Sequence, residues 1–278
     1  MEKEKPVLEN DGLHLPKVRW WAKEKHTILE RYLDIFSTSM KDKWPKRIYV
    51  DLFSGAGMAT IVDENKKPKE IIETSSLIAA KLKYPFTHLL LCEKNKKNAD
   101  ALAGRLDSLN PKPRYTLFNN DANECINKIV AQIPTSSSLN LAFIDPFGLH
   151  LSFDTVIQLS ARKIDLIILL ADNMDAMRNC DLYDKDPDSN MDSFFCTGCD
   201  WRSHLINAGP RFPTVFRELY ENCLRTLGYS YFGTKRVQNS RQTDIYTLLF
   251  ASKNKLGLKF WQEAKSVDAK GQRGLFHD

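Results

Sequence analysis

A short apolar run, Tyr49-Val50-Asp51-Leu52-Phe53, breaks into Ser54-Gly55-Ala56-Gly57, and few folds accommodate a strand that ends in a Gly-x-Gly turn. A Cβ at either glycine would obstruct a close backbone approach or a positive φ, so such a turn points to a bound cofactor. Open α/β sheets bind ligands at that position, where the carboxyl ends of parallel strands meet.

The rest of the chain alternates in a way that supplies such a sheet. Apolar runs at 48–53, 87–93, 114–119, 139–145 and 164–170 predict five strands. Between them, 77–84, 97–109, 123–132 and 153–161 have helical character, the first stopped by Pro85 and the second by Asn110-Pro111. Strands alternating with helices of this length imply right-handed βαβ units and a parallel sheet. Upstream, residues 17–39 carry Trp20, Trp21, Ile28, Leu29, Tyr32, Leu33 and Phe36 at mostly helical spacing, which predicts one long amphipathic helix. Residues 213–227 predict another. The β-rich runs 229–237 and 244–252, separated by the polar stretch 238–243, predict an antiparallel hairpin. A last helix is expected at 258–267 and a frayed tail at 271–278.

The expected fold class is therefore α/β and Rossmann-like: a seven-stranded, mostly parallel sheet with a terminal antiparallel hairpin and helices on both faces. That is the layout of the class I methyltransferase sheet, whereas a dehydrogenase sheet would finish parallel. The expected organisation is an N-terminal helical extension, 1–46, followed by one methyltransferase-like domain, 47–278. Within it, 181–199 is rich in Asp, Ser and Asn without periodicity and reads as an inserted loop.

Composition narrows the function classes. Among 278 residues, 42% are hydrophobic and 10% aromatic, enough for a sizeable core. No apolar run approaches the roughly 20 residues that span a bilayer, so no membrane association is expected. The charged start, Met1-Glu2-Lys3-Glu4-Lys5, has no apolar signal core. Six scattered cysteines suit a reducing cytoplasm better than a disulfide framework. The net charge of +5 only permits a nucleic-acid partner. Its distribution is uneven, with nine Lys/Arg against four Asp/Glu in 235–278 and five Asp against one Lys in 181–192. A solvated surface or a polyanionic substrate would each produce this.

The turn itself excludes two cofactor classes. The dinucleotide fingerprint needs a third glycine, and Thr60 stands in its place; no Gly-Lys-Ser/Thr phosphate loop is present. Asp51-Leu52-Phe53-Ser54-Gly55-Ala56-Gly57 instead resembles motif I of S-adenosylmethionine (SAM)-dependent methyltransferases, especially those acting on nucleic acids. The resemblance implies that the turn at Ser54, Gly55 and Gly57 lies under the methionine part of SAM. It also implies that Asp51 helps to hold the amino group and that Phe53 flanks the cofactor. Two further acids sit at strand ends. Glu93 can accept both ribose hydroxyls in charge-assisted hydrogen bonds, and Asp121, followed by Ala122, can accept the adenine amino group. Taken singly, each is equally a helix cap or a solvated turn. Lys25 could neutralise the SAM carboxylate, or be a solvated helix charge.

The fourth predicted strand exits through Asp145-Pro146-Phe147-Gly148. It is similar to the Asp-Pro-Pro-Tyr motif of methyltransferases that modify the amines of adenine or cytosine. There the acid and the proline carbonyl accept hydrogen bonds from the amine, and the aromatic residue stacks on the extruded base. Here the aromatic comes one place early and Gly148 stands where Tyr would. Asp145, Pro146 and Phe147 are the candidate catalytic residues. An ordinary strand exit with Phe147 in the core is the plainer alternative. Cys196 and Cys199, with Cys180 and His204 nearby, are read as free thiols in a loop rather than a metal site. Trp261 is read as a core residue more readily than as a base-stacking one.

Lys25-x-x-Ile28-Leu29-x-x-Tyr32-Leu33, the glycine turn, Phe143-Ile144-Asp145-Pro146-Phe147-Gly148 and Gly271-Gln272-Arg273-Gly274-Leu275-Phe276 together resemble the three-Cys-motif partner protein (TcmP) family. That resemblance implies a methyltransferase-like domain and a radical-SAM three-cysteine protein as partner, and it supplies no substrate. The expectation is methyl transfer from SAM to a nucleic acid, DNA or RNA, with a base amine favoured. The alternatives are a non-catalytic SAM-binding partner protein and a small-molecule or protein methyltransferase.

Overall fold

The structure is a computed structural model and describes residues 8–239 and 242–266. In chain order its strands are β1 (Lys17–Arg19), β2 (Lys46–Asp51), β3 (Met58–Val62), β4 (Pro68–Glu73), β5 (His88–Cys92), β6 (Tyr115–Phe118), β7 (Ser138–Ile144), β8 (Ile164–Leu170), β9 (Tyr231–Gln238) and β10 (Asp244–Ser252). The helices are α1 (Trp21–Met40), α2 (Ser75–Ala80), α3 (Lys96–Asp107), α4 (Ala122–Ala131), α5 (Phe153–Ser160), α6 (Cys180–Lys185), α7 (Asn190–Phe194), α8 (Trp201–Leu205), α9 (Phe212–Thr226) and α10 (Lys255–Lys265).

Seven strands form the main sheet in the order β6-β5-β2-β7-β8-β10-β9. The first five are parallel, and β10 runs antiparallel to both β8 and β9. This is the expected class I methyltransferase arrangement. Alternate residues of each strand enter opposite cores, as the two-residue period of a strand requires. Ile48, Val50, Ala142 and Ile144 pack with α4, α5 and α9 on one face. Tyr49, Leu141 and Phe143 pack with α1, α2, α3 and α10 on the other. Coverage on both faces explains why β7 and β8 read as nearly unbroken apolar runs. Trp261 is part of this core, fully buried and stacked on Phe250 with ring centroids 5.5 Å apart.

Three features depart from the sequence expectations. First, residues 17–19 are not helical. They form β1, which joins β3 and β4 in a small three-stranded sheet, so the helix begins at Trp21. Val18 packs there on Ala22, Ala59, Ile61 and Ile72. Second, 181–199 is not an unstructured loop: it holds most of α6 and all of α7. A reciprocal cap between Ser189 and Asp192 starts α7, and Met191, Phe194 and Phe195 are buried in the core. Third, Cys196 is disulfide-bonded to Cys223, which corrects its reading as a free thiol and removes it from any ligand set, whereas Cys199 is a free thiol as expected. The expected tail at 271–278 and the run from Gly271 to Phe276 lie outside the described residues. Among the described residues, no helix is long and apolar enough to cross a membrane.

One half-buried acid gives a stability test independent of function. Asp165 in β8 accepts from Ser252 Oγ at 2.6 Å and from the Tyr32 hydroxyl at 3.4 Å. Burial outweighs these donors and raises its pKa from 3.8 to about 6. The folded state thus holds this proton more tightly than the unfolded chain. The contribution to stability is complete below about pH 4 and is lost as pH rises through 6, a swing of about 3 kcal/mol for a shift of about two units. Asp165→Asn is expected to have the higher urea midpoint at about pH 8 and to lose that advantage near pH 4.

Candidate functional site

The carboxyl ends of β2, β5, β6 and β7 are stitched into one rim. After β2 the chain turns through Gly55 (φ +62°) and Gly57 (φ +82°), conformations that favour glycine. The Leu52 amide donates to the Phe143 carbonyl on β7 at 3.3 Å. On the other side, the Ser54 amide donates to the Cys92 carbonyl at 2.9 Å, and the Cys92 amide donates back to Ser54 Oγ at 3.1 Å. The Gly55 amide donates to Glu93 Oε2 at 2.8 Å, so the turn and the acid ending β5 touch directly. A Cβ on Gly55 would meet no heavy atom within 4 Å, which leaves that face of the turn open beside Glu93.

Asp121 lies next along the rim. It caps α4 through the Asn123 amide at 2.9 Å, and its other oxygen lies 3.2 Å from Lys94 Nζ. Asn119 ties the end of β6 to β5 by donating to the Glu93 carbonyl at 2.8 Å. Ala122, the first residue of α4, is buried, and Phe53 is half-buried against the core. Turn, Glu93 and Asp121 are therefore contiguous.

Asp51 behaves differently from the expectation that it holds the SAM amino group. It is completely buried and accepts from Ser76 Oγ at 2.9 Å and the Phe53 amide at 3.3 Å. Burial raises its pKa to about 6, against the hydroxyls of Ser75 and Ser76. Its carboxylate faces inward and secures the turn to the start of α2.

Lys25 is also redirected. From the buried face of α1 its ammonium pairs with Asp145 Oδ2, with side-chain exposures of only 11% and 19%. The Tyr246 ring centroid lies 5.9 Å from the same nitrogen. The pair joins α1 to the end of β7 across 120 positions of sequence. Pro146 is buried after Asp145, and Phe147 is not core: it is 83% exposed.

Two residues that sequence reading did not single out belong to this rim. Both lie on a π-helical turn, Asp172–Ala176, after β8, a feature often found at functional sites. Asp172 is buried and accepts from Thr247 Oγ1 at 2.6 Å. Asp175 contacts the loop after Asp145. The available signal was an acid at a fifth strand end, in Ala171-Asp172-Asn173-Met174-Asp175. A separate cavity of about 810 Å3 lies between α1 and β4, lined by His26, Thr27 and Ile71 among others; none of Asp51, Gly55, Glu93, Asp121 or Asp145 lines it.

No family model matches this chain, and no curated protein does. Solved structures do. A protein of Legionella pneumophila str. Philadelphia 1, described by family model DUF519, is 12% identical, with a TM-score of 0.52 over 92% of this chain and 94% of that one. An O-methyltransferase from Bacillus cereus, solved with SAH, is 11% identical, with a TM-score of 0.49 over 81% and 80%. Trm1 from Pyrococcus horikoshii, solved with S-adenosyl-L-methionine, is 13% identical, with a TM-score of 0.45 over 100% and 67%. At these identities the likeness is one of fold alone. The strand order and closing hairpin place the chain in the Rossmann-like class I methyltransferase fold.

Proposed function

We propose that this chain is a SAM-dependent methyltransferase acting on a nucleic acid, with a base amine as the favoured acceptor. The carrying observation is the junction on β2 of a two-glycine turn hydrogen-bonded to Glu93 with the Asp145-Pro146-Phe147 exit of the adjoining strand. The residues present fit the cofactor: an open glycine face for the methionine part, Glu93 for the ribose hydroxyls and Asp121 for the adenine amine, with Phe53 and Ala122 flanking. SAM, when bound, supplies an electrophilic methyl group on a sulfonium.

The chain's own residues then handle the acceptor. Asp145 keeps Oδ1 to accept a hydrogen bond from an acceptor amine, because Lys25 occupies Oδ2. The Pro146 carbonyl can take the second N–H, which orients the nitrogen lone pair. The Lys25 ammonium balances the charge of Asp145, and a carboxylate already paired in this way suits a neutral base amine better than a protein ammonium group. Phe147 offers a face on which a base can stack. Incubation with tritiated SAM and separate pools of RNA, DNA and protein tests this: label is expected in a nucleic-acid pool and removed by the matching nuclease. Label confined to protein would overturn the acceptor assignment.

The resemblance to the TcmP family supports a second reading, a SAM-binding partner of a radical-SAM three-cysteine protein that transfers no methyl group. One observation favours it: Lys25 already engages half of the carboxylate that an acceptor would use. Co-purification with such a partner, together with an unlabelled nucleic-acid pool, would select it.

A further inference from the structure

Gly148 stands where the similar motif carries an aromatic residue, and its surroundings give the reason. Gly148 adopts φ +70°, and a Cβ there would lie 2.3 Å from Asp175 Oδ2. The same oxygen accepts the Leu149 backbone N–H at 3.1 Å. The other, Oδ1, accepts from Asn179 Nδ2 at 2.7 Å and from the Tyr183 hydroxyl at 2.9 Å. Asp175 is therefore held from behind by α6 and its flank while it grips the loop after β7 in front. Pro146 and Leu149 are both buried, so the loop is fixed on either side of Phe147. The ring of Phe147 stands 83% exposed beside Asp145.

We infer that Asp175 is a positioning residue for the methyl acceptor: it excludes a side chain at position 148 and holds the loop so that Phe147 is presented as the stacking face for a planar acceptor. The role rests on the methyl-transfer reading above, whereas the loop clamp does not. An aromatic residue one place early thus does the work that the similar motif gives to the fourth position. Stacking requires the ring to stay out of the core, and a loop freed at Leu149 could fold Phe147 back onto the apolar surface it now avoids.

Hydrogen exchange measured by mass spectrometry on a peptide covering the Leu149 amide tests the clamp without any activity. Asp175→Ala is expected to speed exchange at Leu149 by about tenfold or more. Asp175→Asn, which keeps the side-chain volume, serves where the alanine variant does not fold and is expected to give a smaller rise, about threefold. In steady-state transfer, Asp175→Ala is expected to raise the acceptor KM about tenfold and to leave SAM affinity within about twofold, a split that general destabilisation would not produce. Gly148→Ala is expected to harm the parent more than it harms Asp175→Ala, because the clash is with Asp175. Unchanged exchange at Leu149, or equal harm from Gly148→Ala in both backgrounds, would overturn the inference. If the parent labels no nucleic acid, the acceptor reading fails while the exchange data still decide the clamp.

Discussion

Asp145→Ala is expected to lower single-turnover methyl transfer by a factor on the order of 10³ while SAM affinity stays within about threefold. The size follows from what is removed. Asp145 supplies the acceptor for an amine N–H, and without it the nitrogen lone pair is not oriented and the proton that the methylated nitrogen must shed has no carboxylate to receive it. The variant also strands the Lys25 ammonium in a nearly buried position, since the pair is only 11% and 19% exposed. A buried charge deprived of its partner costs up to about 3 kcal/mol in stability, so the assay is best run well below the melting temperature. Asp145→Asn should recover little activity, because one face of the amide would present N–H groups either to Lys25 or to the acceptor amine. Single-turnover rates with tritiated SAM, beside a thermal melt of each variant, separate loss of chemistry from loss of fold. A rate within about tenfold of the parent would remove Asp145 from the reaction.

Glu93→Ala is expected to weaken SAM binding about 100-fold and to leave the fold intact. A carboxylate accepting two hydroxyls makes charge-assisted hydrogen bonds worth about 1.5–3 kcal/mol each, less what is recovered by water at this half-exposed position. Glu93 also holds the Gly55 amide at 2.8 Å and the Asn95 amide at 2.7 Å, so its loss loosens the turn as well as the ribose contact. Glu93→Gln retains one carbonyl acceptor and should fall between, at about tenfold. Calorimetric titration of the three proteins checks the order. Equal affinities across the series would show that the cofactor does not use this rim.

The sheet was legible because its strands are buried on both faces. Runs such as Leu89-Leu90-Leu91 and Leu166-Ile167-Ile168 have no polar alternation and are too short for buried helices. The long helix was legible from Ile28, Leu29, Tyr32, Leu33 and Phe36, all of which face the core. The small sheet was not. β4 reads Pro-Lys-Glu-Ile-Ile-Glu, half charged and opening with proline, because it is an edge strand whose exposed face needs no apolar residues. α6 and α7 have six and five residues, too few for a helical period to register, and the Ser189 and Asp192 that start α7 look in isolation like loop polarity.

The candidate site divides the same way. Residues whose role depends on a strand end, Glu93, Asp121 and Asp145, could be placed once the strands were placed. Lys25 could not, because its partner lies 120 residues away and its direction depends on how α1 crosses the sheet. Asp51 has a sequence position that suggests ligand contact, but Ser75 and Ser76 at the start of α2 turn it inward, and nothing in the turn itself encodes them. In sequence Gly148 was a departure from the similar motif, standing where Tyr would. Beside Asp175 it becomes the residue that fits.

The most direct measurement is calorimetric titration of SAM and S-adenosylhomocysteine into the purified parent chain. Saturable binding of both ligands, weakened about 100-fold in Glu93→Ala, is the predicted result. A folded chain that binds neither ligand would contradict the assignment of this rim as a methyl-donor site.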